Sequence, residues 1–326
     1  MRGENELKME ILLIAIFVAF LTSTTYVPTN FSSVRGLCTE DNVVYATHNT
    51  YEDGWAVLLE MNDFPEGWSD IPVNFINSER MQAALLSLGW QSDHIYVVHD
   101  NLTFSVVHGA VEWLLNNTDD DDFALFYIFT HGMWMRDVLQ WNDWFPNEWR
   151  KLNTSKRIII IDTCFAEEFI ESIKSDPFPH ISLACCSADE VSWAGLEEEG
   201  LPIIGSVWNY YFTNALCNSS ADLDNNGFVS IEEAFNFSTP LVQRYMNETV
   251  FAVPEFLESY HKIGIYPENY DAYPHPVMDD AYPDQLVIPE FALSTLMLIF
   301  MIATLLVAIV YIEENIRKSL EEVGQR

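Results

Sequence analysis

Residues Arg157–Cys164 read RIIIIDTC. Four consecutive isoleucines without polar alternation mark a strand buried on both faces, as at the centre of a parallel sheet covered by helices. The run ends in Asp162-Thr163-Cys164, so a thiol stands at the carboxyl end of the strand. That edge is where open α/β sheets gather ligands and chemistry. Phe123–Thr130 (FALFYIFT) has the same apolar character and ends in His131-Gly132. If the two strands are parallel neighbours, His131 and Cys164 project from one edge. A Cys and a His brought together by the fold are the minimum parts of a thiol nucleophile and its base.

A β/α alternation surrounds these two runs. Strands are expected at 55–61, 95–98 and 181–186. Residues 77–88 have helical spacing, with Met81, Ala84, Leu85 and Leu88 on one face and Gly89 closing the helix. Thr103 is placed to cap a helix to 116, with Val106, Val107, Val111 and Leu114 inward. Further helices are expected at 167–173, 205–217 and 231–246. Trp134, Trp141, Trp144 and Trp149 fill the excursion between the two apolar strands and read as packing or rim. The pattern predicts a three-layer α/β/α sandwich with a mostly parallel central sheet. Residues 252–290, rich in Pro, Tyr and Asp, read as a short stalk partly packed on that domain.

The net charge of −34, from 15 Lys and Arg against 49 Asp and Glu, argues against nucleic acid as a partner, because phosphate contacts need cations. Five scattered cysteines and no CxxC indicate neither a disulfide scaffold nor a zinc site. Cys185 and Cys186 read as small buried hydrophobes, and Cys38 and Cys217 as either paired or free. Eleven apolar residues, 11–21, make 1–29 a secretory signal peptide or an uncleaved anchor. Residues 291–312 carry no charge over twenty-two positions, long enough for a transmembrane helix. Arg317, Lys318 and Arg326 follow that span, which puts the tail 313–326 in the cytoplasm and the bulk of the chain outside. Sequons at Asn30, Asn101, Asn116, Asn153, Asn218, Asn236 and Asn247 agree with an exported glycoprotein.

Residues 222–233 read DLDNNGFVSIEE. Asp222, Asp224, Asn226, the Phe228 carbonyl, Ser230 and Glu233 fall at positions 1, 3, 5, 7, 9 and 12 of an EF-hand loop, with Gly227 at the sharp turn. The expected ion is a structural Ca2+; no organic cofactor is indicated.

The motifs GWAVLLEM, LGWQSDHIYVVHD, FYIFTHG, RIIIIDTC and ISLACCSADEVSW together resemble the caspase-like cysteine peptidases, in particular the legumain and GPI-transamidase catalytic subunit family. The resemblance runs from about residue 55 to 193 and implies a peptidase domain over 43–285. It implies that Cys164 attacks a peptide carbonyl, that His131 acts as acid and base, and that the Gly132 and Cys164 amides form the oxyanion hole. Asp162, Ser192 and Trp193 would bind substrate. The chain departs from the legumain pattern at Val73-Asn74, where those enzymes carry Arg-His, and at Ser206, where a pocket Asp stands. The expected function is a membrane-anchored, extracytoplasmic cysteine endopeptidase acting on peptides or proteins. The alternatives are a transamidase with membrane-protein partners and a non-catalytic calcium-binding surface module.

Overall fold

The isoleucines of the Arg157–Cys164 run lie in strand β4 (Lys156–Asp162), where every residue after Lys156 is buried. The computed structural model describes residues 54–174 and 176–287. The expected signal segment, the span at 291–312 and the tail lie outside them. Among the described residues no helix is long and apolar enough to cross a membrane.

Strands β1 (Gly54–Glu60), β2 (Ile95–His99), β3 (Phe123–Phe129), β4, β5 (Ile181–Ala184) and β8 (Val277–Asp280) form one sheet in the order β2-β1-β3-β4-β5-β8. All pairs are parallel except β5 with β8, which is antiparallel. All seven residues of β3 are buried. The reason is that helices cover both faces. Helices α2 (Phe104–Asn117), α3 (Gly132–Asp137), α4 (Trp141–Trp149) and α5 (Ala166–Ile170) follow β2, β3 and β4 in the chain. Trp141 of α4 packs near Phe126 of β3 and donates to the Phe169 carbonyl of α5. On the opposite face, α1 (Ile76–Ser87) packs with α6 (Val207–Leu216), and α6 with α7 (Ile231–Tyr245). Phe126 and its neighbour Tyr127 point to opposite layers, as strand alternation requires.

Three elements differ from the sequence reading. The Trp-rich excursion is itself helical, as α3 and α4, with Trp134, Trp141 and Trp149 buried as packing. Gly205 and Ser206 are not helical. They form β7, paired antiparallel with β6 (Ala194–Gly195), and α6 starts at Val207 because Gly205 has φ +79°. The expected stalk is an integral part of the domain: it supplies α8 (Pro254–Lys262) and the edge strand β8. Tyr273 is fully buried there, its hydroxyl donating to the Val191 carbonyl and accepting from the Val191 amide. Thr103 stands at the N-cap of α2, but its hydroxyl lies 3.2 Å from Ser105 Oγ instead of bonding a helix amide.

Candidate active site

Register decides where the site lies. Phe129 of β3 is paired with Asp162 of β4, so both strands end at the same level. Two residues further on in each chain segment come His131 and Cys164. The loops that carry them are in contact: a Cβ on Gly132 would fall 2.1 Å from the Cys164 carbonyl oxygen. Only glycine therefore lets the two loops approach this closely. His131 precedes α3, and its Nε2 donates to the Ser69 carbonyl at 2.8 Å. That bond leaves Nδ1 as the nitrogen free to exchange a proton. Phe64 packs on the imidazole with ring centres 4.6 Å apart, and Trp68 stacks at 6.3 Å. The β1–α1 loop thus fixes the ring from outside. It is anchored by Asp100, whose carboxylate accepts the Asn62 and Asp63 amides. The order of strands reverses between β1 and β3, the kind of place where such sheets gather ligands.

Cys164 follows β4 and is partly exposed. Protein surrounds its sulfur densely enough that burial pushes the thiol up to about 11, and Cys186 beside it adds to the rise. Hydrogen bonds from Ser192 work the other way; its Oγ lies 3.9 Å from Sγ. The resting sulfur is a thiol at neutral pH.

A family profile described as the caspase domain matches residues 53–256, well over half of the chain. The chain belongs to the caspase-domain family. Membership carries cysteine-type peptidase chemistry at the level of the family. A comparison with curated proteins finds no match.

In this caspase domain Asp162 is fully buried. Its two oxygens accept from Ser206 Oγ at 2.8 Å and Tyr127 Oη at 3.0 Å. Burial lifts the carboxyl to about 6, against the pull of those hydroxyls. The sequence reading places Asp162 as a pocket-lining residue; the side chain is instead engaged beneath the rim. Ser192 and Trp193 lie on the segment that leads into β6, and Trp193 is half-buried against Phe256 and Tyr260 of α8. Val73 is buried and Asn74 is exposed with φ +53°. His99 bonds Ser78 on the far side of β1, away from Cys164's strand.

The caspase domain holds a second cluster at 222–233. Carboxylate oxygens of Asp222, Asp224 and Glu233 lie within 4.8 Å of one another. Asp222 accepts the Asn226 and Gly227 amides, and Gly227 has φ +94°. Ser230 and Glu233 form a reciprocal cap at the start of α7. Asn226 Oδ1 accepts the Phe228 amide. These are hard oxygen donors, which fit a cation such as Ca2+.

Sequence reasoning missed Ser69 and Glu60. Ser69 acts through its backbone carbonyl, which no residue type announces. Glu60 is the one charged residue in the apolar run of β1, and it is fully buried, which its residue type does not announce.

Proposed function

We propose that this caspase domain is a cysteine endopeptidase with Cys164 as nucleophile and His131 as its acid and base. The observation that carries the reading is the β3–β4 register together with the contact between Gly132 and the Cys164 carbonyl. In the reaction, the Cys164 sulfur forms a bond to the peptide carbonyl carbon and its proton is taken up by His131. The carbonyl oxygen becomes an oxyanion facing the Gly132 and Cys164 amides; one such donor is worth about 3–4 kcal/mol in other acyl-transfer enzymes. His131 hands the proton to the leaving amine as the C–N bond breaks. Water then cleaves the thioester and regenerates the thiol. Ser192 and Trp193 line the substrate pocket, and Asp162 lies buried at the end of β4, held by Ser206 and Tyr127.

Calcium binding at Asp222, Asp224, Asn226, Phe228, Ser230 and Glu233 is part of the proposal, as a structural brace. So is an extracytoplasmic, membrane-anchored setting. The disulfide at Cys217 favours an oxidising compartment. Of the described sequon asparagines, Asn101, Asn116, Asn153, Asn236 and Asn247 are exposed, as glycosylation needs.

The test is labelling by electrophilic peptide probes, with hydrolysis of a P1-diverse peptide library. Labelling at Cys164 that disappears in Cys164→Ala and drops in His131→Ala is the expected result. A protein that no probe labels, in any P1 context and with calcium present, is a binding module and the peptidase reading is wrong. Transfer of the acyl group to an added amine in preference to water would assign it as a transamidase.

A further inference from the structure

Glu60 ends β1 in the core. Its Oε1 accepts from Asn77 Nδ2 at 2.8 Å, and its Oε2 accepts from the Ser78 amide at 2.6 Å and the Ser78 hydroxyl at 2.7 Å. The N-cap of α1 is Phe75, which offers no side-chain acceptor, so the carboxylate caps this helix from the neighbouring strand. Asn77 passes the constraint on. Its Oδ1 accepts the Ser206 amide at 2.8 Å, and Ser206 Oγ in turn donates to Asp162, two residues before Cys164. Gly205 makes the junction possible, since a Cβ there would lie 2.5 Å from Asn77 Oδ1. Asn77, Ser206, Asp162 and Glu60 are all buried.

The direction of each bond matters. Every group that bonds Glu60 donates to it, so the Asn77 amide presents Nδ2 to position 60 and Oδ1 to Ser206. We propose that Glu60 is a positioning residue for the active site, setting the orientation of Asn77 and through it holding Ser206 and Asp162 against the loop of Cys164. Other groups that face it are Arg80 on α1, whose charge reaches both carboxylates, and Tyr127 on β3; His99 on β2 connects through Ser78. The role of this hydrogen-bond chain in catalysis rests on the peptidase reading, whereas the hydrogen bonds themselves are tested separately.

The experiment compares wild type, Glu60→Gln, Asn77→Asp and the double variant Glu60→Gln/Asn77→Asp. In Glu60→Gln a carboxamide NH2 meets either Asn77 Nδ2 or the Ser78 donors, and Asn77 turns its Oδ1 away from Ser206. Hydrogen exchange at the Ser206 amide should speed up, and peptide-probe labelling of Cys164 should slow about tenfold or more. Asn77→Asp alone sets two carboxylates side by side and should also lose protection. In the double variant every donor again meets an acceptor. The carboxamide at position 60 donates to the carboxylate at position 77, which also accepts the Ser206 amide. Recovery of Ser206 protection and of labelling in the double variant is the expected result. Unchanged exchange and labelling in Glu60→Gln, or a double variant no better than the single ones at equal Tm, overturns the proposal. An unlabelled wild type overturns the peptidase reading alone, because the exchange pattern decides the chain of hydrogen bonds without catalysis.

Discussion

At Cys164 the thiol is raised to about 11 by its surroundings, and this has a kinetic signature. In the absence of substrate, alkylation of Cys164 by a small neutral reagent should climb steadily as pH rises through 9 to 11, with no plateau near neutrality. A plateau at pH 6–7 would indicate a preformed ion pair and contradict the assignment. Ser192→Ala removes a hydrogen bond that lowers the thiol, so labelling at pH 8 should slow by about twofold, the low end for a long bond to sulfur. Gly132→Ala is the harsher change. Its methyl has no room beside the Cys164 carbonyl, so the loops of His131 and Cys164 must part. Displacement on the order of 1 Å can cost about 100-fold in rate, and kcat/KM for a cleaved peptide measures it. A Gly132→Ala enzyme as fast as wild type would show that the two loops need not touch.

Among the elements, the loop at 222–233 gives a thermal prediction. Millimolar Ca2+ should raise Tm, and Asp222→Asn should abolish the rise; at 100-fold excess over Kd the gain is about 2.7 kcal/mol. A Tm indifferent to both calcium and EDTA would remove the metal from the account. Legibility also divides by element. Strands β3 and β4 are evident because burial on both faces leaves an unbroken apolar run. Strand β8, sequence VMDD, is not, because an edge strand pairs on one side only and tolerates acids. The paired strands β6 and β7 are two residues each and exist only through their partner. The segment WNDWFPNEW hides α4, since aromatics and Pro146 are poor helix signals and its stability comes from burying Trp141, Phe145 and Trp149. At the site, His131 and Cys164 can be read from strand ends, because topology alone carries them to one rim. The capping of α1 by Glu60 cannot, since the partners are 17 and 18 positions apart and follow no local rule.

For the whole molecule, two buried carboxylates tie stability to pH. Burial raises Glu60 from 4.5 to about 7 and Asp162 from 3.8 to about 6. Both folded-state values lie above the ordinary ones, so the stabilising effect of the bound protons is complete below about pH 4. It is lost as pH rises through about 6 for Asp162 and about 7 for Glu60. For Glu60 the change corresponds to about 3 kcal/mol. Chemical denaturation from pH 5 to 8 should show falling stability, with the upper part of the slope flattened in Glu60→Gln. Identical slopes in wild type and Glu60→Gln would contradict the raised carboxyl at Glu60.

The last described residues have a mechanical meaning. Val287 bridges to Ser230, the Ile231 amide donates to the Leu286 carbonyl, and Glu232 accepts the Leu286 amide. Tension entering along the chain beyond Val287 would load the first turn of α7 and the rim of the 222–233 loop before it could peel β8 from β5. A pull on the chain beyond Val287 would then be borne by these contacts at the start of α7, and the ends of β3 and β4 that carry His131 and Cys164 would be spared the load.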